Sequence, residues 1–307
     1  MFYTLTLNPA LDYLVNLETL TLGATNRSLG EQVFWGGKGI NVSRVMKNLG
    51  LDNVALGFIA GFTGQALKNG LESIGIRTDF IELEDGLTRI NVKVKAKEET
   101  EINGSGPVVN QKSIQALMSK VAKIASGDTI VMAGNIPPNV GQDIYDHLLF
   151  SLAGSGVRVV IDTSGPALKQ VLKHHPYLVK PNLAELNEIC GYQAQTDEEI
   201  VENAKKFQTL GAQNVLVSMA AQGALLVEAN GQTYRVKSPV GQVQNSAGAG
   251  DSLVAGFLAG QNWKLSPEET LALGAAAGSA TAFSPTLATA DEIKAVYKEA
   301  YNLILPN

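Results

Sequence analysis

Thr129-Ile130-Val131-Met132-Ala133, Val157-Arg158-Val159-Val160-Ile161-Asp162, Tyr177-Leu178-Val179-Lys180 and Asn214-Val215-Leu216-Val217-Ser218 are short apolar runs rich in β-branched residues. Continuous apolar runs of this length are typical of strands buried on both faces in a parallel sheet. Between them, stretches such as 111 to 125 and 198 to 210 carry apolar residues at helical spacing. Strand and helix therefore alternate from about residue 105 onward, which predicts βα units and an α/β fold with a mostly parallel central sheet flanked by helices.

Outward from this block, residues 13 to 35 and 88 to 103 break the rhythm. In the second of them, TRINVKVKAKEETEIN, apolar and polar residues alternate as they do in a strand wetted on one face. A sheet with one apolar face buries it against the body of the protein or against a second copy. These two segments are accordingly expected to form a small β-sheet lid on a single domain spanning 1–307, and to join two chains as a homodimer.

Two glycine-rich segments carry the chemistry. Phe34-Trp35-Gly36-Gly37-Lys38-Gly39-Ile40-Asn41 precedes an apolar pattern, Val42, Val45, Met46 and Leu49, at helical spacing. Its glycines let the backbone approach a ligand, the helix start offers free N–H groups, and Lys38 adds a full charge. It lacks the Ser or Thr after the lysine that a P-loop requires. A glycine turn with a solvated lysine fits the same residues. Asn245-Ser246-Ala247-Gly248-Ala249-Gly250-Asp251-Ser252 runs into a strongly apolar helix. Here the N–H groups of Ala249, Gly250 and Asp251 are expected to converge as an anion hole, with the Asp251 carboxylate beside it. A carboxylate in a first helical turn also serves simply to stabilise the helix dipole. Next to an anion hole, it is what transfer of a phosphoryl group to a hydroxyl needs.

Composition narrows the field. The net charge of −5 gives no broad basic surface, which disfavours nucleic acid or acidic membrane as a partner. Cys190 is the only cysteine, and His147, His174 and His175 lack ligand-like spacing, so neither an intramolecular disulfide nor a zinc site is expected. The start, MFYTLTLNPALD, reads as a buried strand rather than a leader, and no apolar stretch is long enough to cross a bilayer. A cytoplasmic protein is expected.

GGKGIN near residue 40 and GAGDS near residue 250 resemble the two signatures of the PfkB carbohydrate kinase family, whose ribokinase-like fold is a central sheet flanked by helices with a small β lid. TLTLNPALDY, TRINVKV, AGNIPPN and KPNLAEL resemble the branch holding 1-phosphofructokinases, tagatose-6-phosphate kinases and the minor 6-phosphofructokinase. The resemblance implies ATP and Mg2+ as cofactors and phosphorylation of a ketohexose phosphate, with fructose 1-phosphate going to fructose 1,6-bisphosphate. Tagatose-6-phosphate kinase is the alternative, and a catalytically idle sugar-phosphate sensor is the reading from a different class. A nucleoside or ribose kinase would leave Lys38 and Arg89 facing no phosphate.

Carried over residue by residue, Asp251 is implied as general base, with Gly248, Ala249 and Gly250 holding the transferring phosphoryl group. Asp12, Gly36, Gly37 and Asn41 are implied to grip the sugar, Lys38 and Arg89 its phosphate, and Asn135 of AGNIPP the sugar again. Asp12 also reads as closing a turn after Pro9, and Arg89 as surface charge. Lys180, Asn182, Ser218, Gly223 and Ser279 are implied near the nucleotide, and Glu185 near the metal ion. Asn182 and Glu185 also fit a helix capping box, and the small residues 274 to 283 fit close helix packing. Three positions depart from the common family pattern: Ala220 replaces glycine, Asn135 replaces serine, and Asn245 replaces aspartate. They bear on the nucleotide loop and the sugar rather than on the reaction.

Overall fold

A computed structural model describes residues 1–305; Pro306 and Asn307, the end of the expected 1–307 domain, lie outside the described residues. The strands are β1 Phe2–Thr6, β2 Ala10–Asn16, β3 Gly30–Gly36, β4 Asn53–Ala60, β5 Arg77–Thr78, β6 Ile81–Leu83, β7 Arg89–Lys95, β8 Glu99–Asn103, β9 Thr129–Ala133, β10 Arg158–Asp162, β11 Leu178–Val179, β12 Asn214–Ser218, β13 Ala224–Val227 and β14 Thr233–Val236. The helices are α1 Lys38–Asn48, α2 Gly61–Ser73, α3 Gln111–Val121, α4 Ile144–Leu152, α5 Gly165–Val171, α6 Leu183–Cys190, α7 Asp197–Thr209, α8 Ala249–Asn262, α9 Pro267–Phe283 and α10 Ala290–Tyr301.

The four apolar runs form β9 to β12, neighbours in a sheet ordered β14-β13-β12-β11-β10-β9-β1-β4-β5, with β6 also on β4. Pairings from β12 through to β5 and β6 are parallel. Period-two alternation divides each strand between two helical layers. Ile130, Met132, Val159 and Ile161 point into a core with residues of α3 to α7, whereas Val131, Ala133 and Val160 pack with α1, α8, α9 and α10. At one edge the βα rhythm stops, because β12, β13 and β14 pair antiparallel. Only residues 219 to 223 join β12 to β13, too few for the crossover that a parallel partner needs.

A separate four-stranded sheet has the order β3-β2-β7-β8. Its register puts Tyr13 beside Val33 and Val92, and Val92 beside Ile102, on one apolar face; Asp12, Asn91 and Lys93 occupy the other. Trp35 of β3 fills the space that a side chain at Gly70 of α2 would take, so this sheet meets the body through that glycine. No helix among the described residues is long and apolar enough to cross a membrane.

Candidate active site

The parallel strands all end on one edge, where open α/β sheets gather ligands. Three charged side chains are buried there. Asp162 closes β10, Lys180 directly follows β11, and Asp251 sits in the first turn of α8. Lys38, the first residue of α1, extends to the same place: its Nζ donates to Asp162 Oδ1 at 3.1 Å, and Lys180 Nζ lies 3.3 Å from the same oxygen. The two glycine signatures, far apart in sequence, are joined here, because Asn41 Nδ2 donates to Asp251 Oδ2 at 2.7 Å.

The two carboxylates differ. Burial acts to raise the pKa of Asp162, but Lys180 and Lys38 outweigh it and hold the group below its ordinary value. Asp251 is pushed up to about 6, first by burial and then by the Asp162 charge, against the pull of the Asn41 hydrogen bond, Lys38 and Lys180. Burial acts to lower Lys38, and the fields of Asp162 and Asp251 more than reverse it, so its ammonium is held above the ordinary range. The centre thus sets a carboxylate held below its ordinary pKa beside one pushed up to about 6 and poised to exchange a proton.

Gly248 caps α8 in the left-handed region, φ 81°, where glycine is favoured. The N–H groups of Gly250 and Asp251 find no acceptor among the described residues and point out of the helix start, but that of Ala249 donates to the Ser246 carbonyl at 3.2 Å. The expected three-donor hole is therefore a two-donor hole, because the chain at 246 to 249 closes a turn on itself. Lys180 supplies the missing positive charge: its Nζ would lie 3.6 Å from a Cβ placed on Gly250. Together these groups place cationic side chains and free N–H donors beside a carboxylate.

Lys38 and Arg89, expected as a pair of cations on one phosphate, face different carboxylates. Arg89 Nε donates to the Asn8 carbonyl at 3.1 Å, and its guanidinium, lowered by burial, is compensated by Asp12. Asp12 is fixed by a 2.8 Å hydrogen bond from Asn91 and presses against the backbone of Gly36, leaving no room for a side chain there. Between the polar face of the small sheet and the loop at 245 to 247 lies a cavity of about 240 Å3, lined among others by Asp12, Asn41, Arg44, Lys93 and Lys95. Gly37 is the N-cap of α1 against Thr6 and Pro9, and Asn135 is exposed in the loop after β9.

Along the same edge, Asn182 and Glu185 form a reciprocal capping box at the start of α6, with 2.8 and 2.9 Å hydrogen bonds. One carboxylate oxygen of Glu185 is thereby committed, and its field still reaches Lys38. No group of three or more His, Cys, Asp or Glu gathers among the described residues to hold a metal ion. Magnesium keeps several waters and takes much of its coordination from substrate phosphate, a chemistry that the single, partly committed Glu185 carboxylate fits. Ser218 bridges to Asn182, and Gly223 closes the turn after it at φ 98°. Ala220 in that turn has φ 48°, in the left-handed region that favours glycine. The small residues of α9 are taken up by packing: a Cβ on Gly274 would come within 2.9 Å of the Leu253 carbonyl of α8. Ser279 turns from that contact to meet Ser238 at 3.3 Å.

Asp162 and Arg44 were not singled out from sequence. A carboxylate at the last position of a buried parallel strand is the signal that marks Asp162. Arg44 lies three residues after Asn41 and so shares its face of α1; it donates to the Trp35 carbonyl at 3.3 Å, and its guanidinium is lowered by burial and compensated by Asp12.

The model of the pfkB family carbohydrate kinases matches residues 6–294. A 1-phosphofructokinase of Bacillus subtilis is 44% identical over 299 residues, covering 97% of this chain and 98% of the relative. A D-tagatose-1-phosphate kinase of Bacillus licheniformis is 38% identical, covering 94% of each chain. The solved structure of phosphofructokinase-2 from Escherichia coli in complex with fructose-6-phosphate matches with a TM-score of 0.90 at 30% identity, over 97% of this chain and 98% of that one.

Proposed function

The chain belongs to the pfkB family of carbohydrate kinases, and on that premise we propose that it transfers the γ-phosphate of ATP to the free primary hydroxyl of fructose 1-phosphate, giving fructose 1,6-bisphosphate and ADP. The observation that carries this reading is the buried Asp251 carboxylate beside two free helix N–H groups, with Lys180 and Lys38 alongside. Such an arrangement positions a hydroxyl and stabilises charge on a phosphoryl group in flight.

In this reading Asp251 accepts the hydroxyl proton, and Asn41 orients its carboxylate. Gly248 shapes the turn that presents the Gly250 and Asp251 N–H groups to the γ-phosphoryl oxygens, and Lys38 and Lys180 share that charge. Asp12, held by Asn91 against Gly36, receives sugar hydroxyls. Arg89 and Arg44, both compensated by Asp12, take the phosphate already on the sugar. Nucleotide lies along Ser218 to Gly223 and toward Ser279. Magnesium, bound mainly through phosphate and water with Glu185 nearby, would supply charge neutralisation on the triphosphate. The small sheet acts as a lid that excludes water. Its outward face, with Val33 and Ile102 exposed by 48% and 63%, is covered by the same face of a second chain.

Tagatose 1-phosphate is the second reading, favoured by the relative named for that substrate. It carries its phosphate at the same end and differs only in the C4 hydroxyl. Tagatose 6-phosphate presents phosphate and acceptor at exchanged ends. ADP release measured with fructose 1-phosphate, the two tagatose phosphates, fructose 6-phosphate and free fructose tests the assignment. Fructose 1-phosphate should give the highest kcat/KM. Equal use of free fructose would overturn the sugar-phosphate part, and binding without ADP release would favour a sensor.

A further inference from the structure

We propose that a cavity at the opposite edge of the central sheet is a second small-molecule site, shaped for an aliphatic zwitterion of the α-amino acid kind. It encloses about 260 Å3 beside Arg158, the first residue of β10, and Tyr177, which precedes β11. This is the edge away from Asp162 and Asp251, at the other ends of the same elements. Its accessible apolar wall is the half-buried Leu265 and Pro267, lying over the buried Leu226 and Phe257.

Three polar groups lining it have binding capacity to spare: one buried acceptor and two charges outside any ion pair among the described residues. Gln261 donates its Nε2 to the Tyr177 hydroxyl at 2.7 Å, while its Oε1 is buried with no donor among the described residues. A buried acceptor left empty costs roughly 1–3 kcal/mol, and most such groups in folded proteins are paired. The Arg158 guanidinium lies 5.4 Å from the centre of the Tyr177 ring and reaches no carboxylate within 4.0 Å among the described residues. Glu228 lines the same cavity; its carboxylate accepts from Asn230 Nδ2 at 3.4 Å and is joined to no cation within 4.0 Å among the described residues.

A single ligand answers all three. A carboxylate would meet Arg158, an ammonium would meet Glu228 and Gln261 Oε1, and an aliphatic chain would cover Leu265 and Pro267. An inorganic anion would satisfy Arg158 alone and face the Glu228 charge. Gln261 also stands ten positions after Asp251 on α8, about 15 Å along the helix, so an occupant would touch the far end of the element that carries the proposed base.

The test is calorimetric titration of the full-length protein with L-leucine, with isocaproate, which keeps only the carboxylate, and with isoamylamine, which keeps only the ammonium. Leucine should bind saturably and each half-ligand at least about tenfold more weakly, the loss of one charge-assisted contact. Arg158→Gln and, separately, Gln261→Met should each weaken leucine about tenfold and leave ADP release from the sugar phosphate unchanged. No saturable heat with leucine up to its solubility limit, the result for a cavity that holds only water, would overturn the proposal. So would isocaproate binding as tightly as leucine.

Discussion

The end of β10 and the start of α8 each bring a buried aspartate to the same two lysines, and the outcomes are opposite. Asp162 contacts Lys38 and Lys180 directly, at 3.1 and 3.3 Å, and stays charged below its ordinary pKa. Asp251 has only the neutral Asn41 amide as a hydrogen-bond partner, feels the lysines from further off, and is pushed up to about 6. Burial is common to both, so the ion pairs decide. The carboxylate locked between cations is suited to holding them in place; the one kept out of an ion pair is free to exchange a proton.

The difference has a thermodynamic sign. The folded pKa of Asp251 is raised, so its contribution to stability is complete below the unfolded value and is lost as pH rises through about 6. The contribution of Asp162 is present above the unfolded value and is lost as pH falls through its depressed one.

The largest effect should follow Asp251→Asn. We expect kcat to fall by about a thousandfold, the usual scale for a general base, while substrate binding measured by calorimetry persists. The thermal midpoint at about pH 7.5 should be equal or higher, since a costly buried charge is gone. A variant that kept its rate, or lost its fold, would break the comparison. Next in size, Asp162→Asn leaves two ammonium groups facing each other and should cost about 3–5 kcal/mol in denaturant titration. It should also move the acid limb of the rate profile to lower pH, because Asp251 loses its repelling neighbour. Smallest is Asn41→Ala, which removes a hydrogen bond to the charged form of Asp251. The acid limb should rise by about one pH unit, whatever happens to KM.

Much of this was legible in the chain. The β-branched runs gave β9 to β12 because burial on both faces leaves no polar alternation to misread, and the 88 to 103 alternation gave β7 and β8 for the converse reason. Asp251 stood out because small residues precede it. Asp162 did not, since a strand-end carboxylate looks like any turn residue until the neighbouring strand ends place Lys180 beside it. The turn that occupies the Ala249 N–H rests on Gly248, whose φ of 81° suits the third position of a turn; the expectation that small residues leave all three N–H groups free passes over it. The small residues of α9 pointed to both a nucleotide and a packing role; the approach of Gly274 to Leu253 accounts for them as packing.

The proposed role of Asp251 as a base poised by burial is read from the pH dependence of kcat/KM for fructose 1-phosphate from about pH 5 to about pH 9. An acid limb from a single unprotonated group with a midpoint near 6 is expected. A rate that stays flat down to about pH 5 would contradict it, since the proposed base would then be fully ionised where burial holds it protonated.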